Sequence, residues 1–412
     1  MKILIVHQYY ILPGHSGGTR FNEFARHWAA AGHDVTVISG TRDHFTGEAP
    51  DVYHGRWITR EMDGPVKVIR CYVPGSYGRG FSGRMWGFVG FTLSATTGAL
   101  LAERPDVVIS SSPPLIIAVP GYLATRLRRR KVPWVFEVRD LWPESAVTTG
   151  VLREGATLTR LLYRLERAAY RRSERINVLT PAFREDILRR DLAQEHKIVF
   201  VPNGADTDLF SPGDRDNDIR RELGWGQRFV VMYAGAHGRA NALHQLVDAA
   251  EILRDRDDIL IASVGEGPDR EELVRDAQQR GLTNIQFTGP VAKRRMPEVV
   301  NACDVGAAVL QDNPTFRTVY PNKVFDYMAC ERPTLLAIDG GARDLVCDEA
   351  QAGVFVRPED PQAIADAIIA MKDDPAGCRE MGRRGREWVE ANAARPALAE
   401  RYLRIMSEMI GA

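Results

Sequence analysis

Short β-branched runs alternate with longer stretches of helical periodicity along this chain, and the alternation begins again near residue 210. In the first half the strand-like runs are Ile3–His7, Val35–Ser39, Val66–Val73, Val107–Ser110, Trp134–Val138, Ile176–Leu179 and Ile198–Val201. Helical stretches lie between them, among them Thr19–Ala31, Leu115–Arg130 and Thr157–Ser173. In the second half Phe229–Ala234, Ile259–Val264, Ile285–Thr288, Val305–Leu310 and Thr334–Ile338 read as strands. Ala242–Arg254, Arg270–Arg280, Met296–Ala302 and Asn322–Cys330 read as the helices that separate them. A strand–helix–strand rhythm of this kind builds parallel sheets covered by helices.

The two runs meet at VPNGADTDLFSPGDRDND, where turn-forming residues are densest. With 412 residues, more than one core usually serves, the expectation is α/β architecture in two doubly wound domains. Residues 1–205 with a returning helix in 392–412 would form the first, and 206–391 the second. Ligands of such sheets bind beyond the carboxyl ends of the strands.

The charges balance at 54 Lys+Arg against 54 Asp+Glu, but residues 1–200 hold 28 basic and 19 acidic side chains. That leaves 26 and 35 for the remainder, so a +9 half adjoins a −9 half. Such asymmetry suits an anionic lipid surface or a phosphorylated substrate for the first half. Mean hydropathy of −0.25 excludes a polytopic membrane protein. Met85–Ala102 and Val107–Thr125 are nevertheless uncharged runs of 18 and 19 residues. The second contains Pro113, Pro114 and Pro120 and reads as strand, loop and helix start; the first reads as an interfacial helix. Five scattered cysteines without a C-x-x-C pair fit a reducing cytosol, and MKILIVHQYY reads as a first strand rather than a signal peptide.

Several turns carry residues suited to anions. Gly17 and Gly18 lie in a glycine-rich turn ahead of a helix, where free N–H groups and the helix dipole favour phosphate; a plain tight turn is the alternative. Arg139 and Asp140, with Glu137, Trp142 and Glu144, cluster just past a buried strand, either as a functional rim or as a structural ion pair. Gly235, His237, Gly238 and Arg239 close one strand of the second half, and Gly265 and Glu266 close the next. The backbone approaches an anion closely at such glycines, and Arg239 is placed to hold a phosphate oxygen.

The most informative stretch is TVYPNKVFDYMACERP. Pro321 suits a helix start, which puts Asn322 and Lys323 in the first turn. A cation there opposes the helix dipole at a cost of ~0.3–1 kcal/mol, so an anionic ligand is the natural compensation. Asp326, three residues on, is placed to accept from ribose hydroxyls; a Lys323–Asp326 surface pair is the plain alternative. The D-x-D strings (such as Asp206/Asp208 and Asp214/Asp216) sit in the linker or at a helix end and read as turn residues. No zinc spacing and no G-x-S-x-G elbow is present. The arginine-rich runs lack interleaved aromatics, which argues against nucleic acid.

In their order, HQYYILPGHSGGTR, GHDVTVIS, FEVRDLWPESA, LTPAFREDIL, VPNGADTDLF, YAGAHG, VGEGPDREEL, FTGPV and PNKVFDYMACERP resemble family 4 of the GT-B glycosyltransferases. The likeness is closest to the bacterial O-antigen and capsule branch that includes L-fucosamine transferases. The resemblance implies two Rossmann-like domains facing a central cleft, and transfer with retention and no required metal. It also implies a UDP-sugar donor on the second domain and a polyprenyl-diphosphate-sugar or other glycan acceptor on the first. Location would be cytoplasmic, peripheral to the inner face of an anionic membrane. Gly17 and Gly18 would approach the donor diphosphate, Arg139 and Asp140 would stand near the transferring sugar, and Val291 would pass the base. Gly340 and Gly341 would lie near sugar or phosphate. The family's paired glutamates fall on Thr318 and Asp326, so only the second stays acidic, and its Arg and Lys fall on Ala236 and Asn241. Arg239 and Lys323 would supply that charge instead. A UDP-N-acetylhexosamine 2-epimerase and a non-catalytic nucleotide-sugar-binding protein are the alternatives.

Overall fold

The apolar runs become parallel strands because they are buried on both faces, and the helices between them return each chain segment to the same edge. The computed structural model describes residues 1–12, 20–43, 47–75, 80–126 and 131–411. They divide into two units, Met1–Pro202 with Pro396–Ala412, and Asn203–Arg395.

The first unit holds strands β1 (Lys2–Val6), β2 (Asp34–Gly40), β3 (Ile58–Asp63), β4 (Val66–Cys71), β5 (Val107–Ser112), β6 (Trp134–Val138), β7 (Arg175–Val178) and β8 (Ile198–Phe200). Its helices are α1 (Arg20–Ala30), α2 (Gly80–Leu101), α3 (Ala118–Arg126), α4 (Glu144–Thr148), α5 (Thr157–Arg172) and α6 (Pro181–Arg189). The strands lie in the order β3-β4-β2-β1-β5-β6-β7-β8. All pairs are parallel except β3 with β4, which a Gly64–Pro65 turn joins, Gly64 taking φ 57°. This edge strand is absent from the sequence expectation: ITREMD is short and charged, as an exposed edge requires. The strand order reverses between β1 and β5, whose carboxyl ends therefore open a crevice.

Helix α2 covers the run beginning at Met85. A Cβ on Gly90 would sit 2.5 Å from the Pro74 ring, and one on Gly98 would sit 2.9 Å from the Cys71 sulfur. Its glycines thus seat the helix flat against the domain, while Trp86 (59% exposed) and Leu93 (58%) point outward. No described helix is long and apolar enough to cross a membrane. The other candidate run is β5 followed by α3, which ends at Arg126; residues 127–130 lie outside the described set.

The second unit holds β9 (Phe229–Ala234), β10 (Ile259–Val264), β11 (Ile285–Gly289), β12 (Val305–Val309), β13 (Thr334–Ala337) and β14 (Gly353–Phe355), ordered β11-β10-β9-β12-β13-β14 and all parallel. Helices α7 (Asp218–Glu222), α8 (His244–Ile252), α9 (Arg270–Gln279), α10 (Met296–Ala302), α11 (Asn322–Ala329), α12 (Gly341–Arg343), α13 (Pro361–Asp373) and α14 (Pro375–Asn392) surround it. The final helix, α15 (Arg395–Gly411), leaves this unit for the first. There Leu398, Ala399, Tyr402 and Met406 pack on Phe24, Ala25 and Trp28 of α1, and the Trp28 indole donates to Ala399 O at 2.9 Å.

Two loops at the carboxyl edge of the second sheet are clasped together. The N–H groups of Gly235 and His237 donate to Val264 O and Glu266 O, each at 2.9 Å. A Cβ on Gly265 would lie 1.9 Å from Gly235 O, and only glycine permits that approach. The His237 ring is fully buried among Tyr233 and Phe287, with Nε2 2.9 Å from Ser263 Oγ. Burial, aided by the Arg270 charge, pushes its pKa down to about 4. The unfolded chain takes up the proton near 6.5 and the folded one near 4. Stability from this ring is therefore whole above pH 6.5 and drains as pH falls toward 4, at roughly 1.4 kcal/mol per unit. In urea titrations, the stability advantage of wild type over His237→Gln should shrink steadily between pH 6.5 and 4. A constant difference across that window would contradict the buried neutral ring.

Candidate functional site

In the second unit the site forms where β9 and β12 separate. Tyr327 of α11 bridges the split: its hydroxyl accepts from Ala234 N at 3.0 Å and donates to Ala307 O at 3.2 Å. Gly306 makes room for it, since a Cβ there would lie 2.3 Å from the Tyr327 ring. That anchor aims the first turn of α11, which begins after Pro321, at the end of β9. Lys323 lies across Tyr233, its Nζ 3.4 Å from the ring centre, and Tyr233 is itself held by a 2.8 Å bond to Ala236 O.

Burial pushes the pKa of the Lys323 ammonium well below the usual lysine value. The plain Lys323–Asp326 ion pair is thus not what holds this cation. A face-on aromatic contact offsets part of its desolvation, but the dipole of α11 still opposes it. Gly235, at φ 150°, keeps the adjoining space open: a Cβ there would lie 3.0 Å from Lys323 Nζ. The outcome is a cation with no counter-charge among the described residues, at a helix start. Anions bind at such places.

The other candidates of this unit are distributed around that point. Asn322 is exposed, and Asp326 and Val291 are half-buried. Glu266 is exposed and 4.0 Å from Arg270. His237 is turned inward to Ser263, so it acts on the loops rather than offering its ring outward. Gly238 and Arg239 line a cavity of about 520 Å³ with His244, Asp269, Glu272 and Gln311; Lys323 is not among its walls. Gly340, at φ 78°, packs on Arg317 O, where a Cβ would come within 2.3 Å, and Thr318 Oγ1 donates to Thr315 O at 2.7 Å. The aspartates of the linker serve turns: Asp206 Oδ1 accepts from Leu209 N and Asp214 Oδ1 from Asp216 N.

In the first unit Glu137 lies within β6, fully buried. It accepts from Arg20 Nε and Nη2 at 3.3 and 3.2 Å, from Asn177 Nδ2 at 3.0 Å and from Ser111 Oγ at 3.4 Å. Arg20 also donates to Val201 O at 2.8 Å and to Pro202 O. This network ties α1 to β5, β6, β7 and the end of β8. Arg139, just beyond β6, places Nη1 3.3 Å from Nε2 of the buried His7, just beyond β1. Asp140 turns elsewhere and accepts from Ser145 Oγ at 2.9 Å, while burial raises its pKa. Neither form of the structural pair, Arg139–Asp140 or Arg139–Glu144, is present among the described residues: Asp140 is bonded to Ser145, and Glu144 accepts from the Tyr163 hydroxyl at 2.6 Å. Gly17 and Gly18 lie outside the described residues.

Sequence reasoning did not single out His7, Arg20, Asn177, Tyr233 or Tyr327 as site residues. Their partners are distant in the chain, so spacing holds no trace of them. A glutamate inside the apolar run WVFEV is the local signal that a buried partner exists.

Residues 17–204 match the family described as glycosyl transferase 4-like domain, and residues 228–374 match glycosyl transferases group 1. The chain is 26% identical to the probable glycosyltransferase WbjE of Pseudomonas aeruginosa, over 65% of this chain and 66% of that protein. It is 24% identical to the putative colanic acid biosynthesis glycosyl transferase WcaI of Escherichia coli K12, over 89% and 91% of the two chains. Among solved structures, Anabaena HepE in complex with UDP superposes with a TM-score of 0.73 at 18% identity, covering 99% of this chain and 100% of that one. Both parallel-sheet units are thereby accounted for, and the chain belongs to the GT-B glycosyltransferases.

Proposed function

We propose that this glycosyltransferase moves a sugar, with retention of configuration, from a UDP-sugar to a lipid-diphosphate-linked acceptor during surface polysaccharide assembly. The donor class proposed is a UDP-linked hexose or N-acetylaminosugar, in keeping with the resemblance to L-fucosamine transferases. The observation that carries the donor half is the Lys323 ammonium, stacked on Tyr233 at the start of α11 with no counter-charge among the described residues. HepE, alike in fold, was solved with UDP, and WcaI is named for colanic acid biosynthesis. Both names support the reading. Nothing favours the 2-epimerase alternative, since each domain matches a glycosyl transferase family.

The chemistry asks the protein for electrostatics more than for covalent help. As the bond from the anomeric carbon to the diphosphate breaks, positive charge grows on the sugar and negative charge on the departing oxygens. Lys323 and the N–H groups at the start of α11 stabilise those oxygens. Arg239, exposed in the neighbouring cavity, adds a second cation for the same group. The departing phosphate oxygen then takes the acceptor's proton on the face it leaves, which gives retention.

The membrane half of the proposal rests on the outer surface of the first unit. Trp86, Val89, Leu93 and Leu100 form one exposed strip along α2. Trp57, 46% exposed, lies beside it, stacked on Tyr72 with its indole donating to Thr97. On α5, Arg160, Arg164, Arg167 and Arg171 are exposed at helical spacing. Apolar and indole groups on α2 and a row of cations on α5, two helices that both pack on α3, suit the headgroup boundary of an anionic bilayer.

Lys323→Ala should lower transfer from the donor roughly 10- to 150-fold, the loss of about 1.5–3 kcal/mol of transition-state stabilisation. Steady-state kinetics with less than a threefold loss would remove Lys323 from this role. Wild-type chain should co-sediment with anionic liposomes, and Trp86→Ser with Leu93→Ser should release it without a change in melting temperature. Sedimentation unaltered by the double substitution would dismiss α2 as the contact.

A further inference from the structure

The carboxyl edge of the first sheet carries one cation more than its carboxylates neutralise. Glu137 is taken by Arg20 in a fully buried pair, and Asp140 is bonded to Ser145. Arg139, half-buried between them in the sequence, has no carboxylate at ion-pair distance among the described residues. Among the described residues the one hydrogen bond of its guanidinium is Nη1 to His7 Nε2 at 3.3 Å, and its Nε is buried without a partner. Burial lowers its pKa, opposed by Glu137 and abetted by Arg20. A guanidinium partly withdrawn from water without a counter-ion is costly. Its unbonded edge, Nε and Nη2, is the planar fork that matches two oxygens of a phosphate.

We infer that Arg139, braced by His7, is an anion subsite of the first domain that recognises the diphosphate of the acceptor. This rests on the function proposed above, in which Lys323 on the second unit serves the donor. A cation for the acceptor's phosphate has to come from the first unit, and Arg139 stands at the β1/β5 crevice with its charge unspent. His7 contributes by holding Nη1, so the guanidinium plane is set before the ligand arrives. Arg139 then acts by binding and placing the acceptor, not by moving a proton.

The full chain, saturated with UDP to occupy the donor site, would be titrated in a calorimeter with inorganic pyrophosphate and with farnesyl diphosphate. Wild type should bind both. Arg139→Ala should weaken both by roughly tenfold or more, as expected for a lost charge-assisted bond. Arg139→Lys should recover part of the loss, and UDP affinity should stay within twofold throughout. Tighter binding of farnesyl diphosphate than of pyrophosphate identifies a lipid-borne ligand, and equal binding a soluble one; either supports the subsite. Should Arg139→Ala fail to fold, Arg139→Gln, which keeps a donor for His7, reads the same loss. The inference is overturned if wild type binds neither probe, or if the substitutions leave probe affinity within twofold. It is equally overturned if UDP affinity falls in step with probe affinity, since Arg139 would then belong to the donor. A chain that binds no UDP at all defeats the donor proposal instead, so the two failures are told apart.

Discussion

Two parallel strands that part company leave N–H and C=O groups facing a gap, and buried backbone groups need partners. In the second unit the Tyr327 hydroxyl supplies both, accepting from Ala234 of β9 and donating to Ala307 of β12. One side chain thus closes the ladder and fixes where α11 begins. Lys323 sits one helical turn earlier on that helix, and its position over Tyr233 follows from the same anchor. Remove the bridge and both the split and the cation lose their registration.

Charge burial is treated differently in different parts of the molecule. Glu137 and Arg20 satisfy one another and spend their remaining bonds on Ser111, Asn177 and the carbonyls after β8. Glu166 and Arg190 pair likewise, at 3.1 and 2.5 Å, beneath the arginine face of α5. These pairs hold elements together and offer nothing outward. Lys323 and Arg139 are the contrast: each is half-buried, and neither meets a carboxylate among the described residues. Pairing offsets the cost of burying a charge when the aim is structure. An unpaired cation of this kind is a candidate for anion binding.

Much of the fold was legible because its signals are local. Phe229–Ala234, Ile259–Val264, Trp134–Val138 and Met296–Ala302 have the limits their apolar runs suggested. The strands β3 and β14 were not, since ITREMD is charged and GVF is three residues long. Lys323 was legible at the site because a cation after Pro321 violates a local rule of helix termini. The contact of Arg139 with His7 was not, because 132 residues separate the two and no spacing encodes their meeting. His237 shows a third case: its glycine-rich setting was plain, but the inward turn to Ser263 depends on a strand 26 residues away.

The departures from the family pattern gain a physical sense when the charges are placed. Ala236 and Asn241 stand where the family's Arg and Lys were expected, and they bring no charge to the loop after β9. Ala236 instead gives its carbonyl to the Tyr233 hydroxyl, which locks the ring that carries Lys323. The cation this loop does carry, Arg239, is exposed, whereas Lys323 is half-buried against Tyr233. One half-buried cation on an aromatic platform, with Gly235 clearing the approach, thus stands beside a loop whose own charge is confined to Arg239. In the proposed donor role, a cation held this firmly stabilises a departing diphosphate without having to reorganise as the bond breaks.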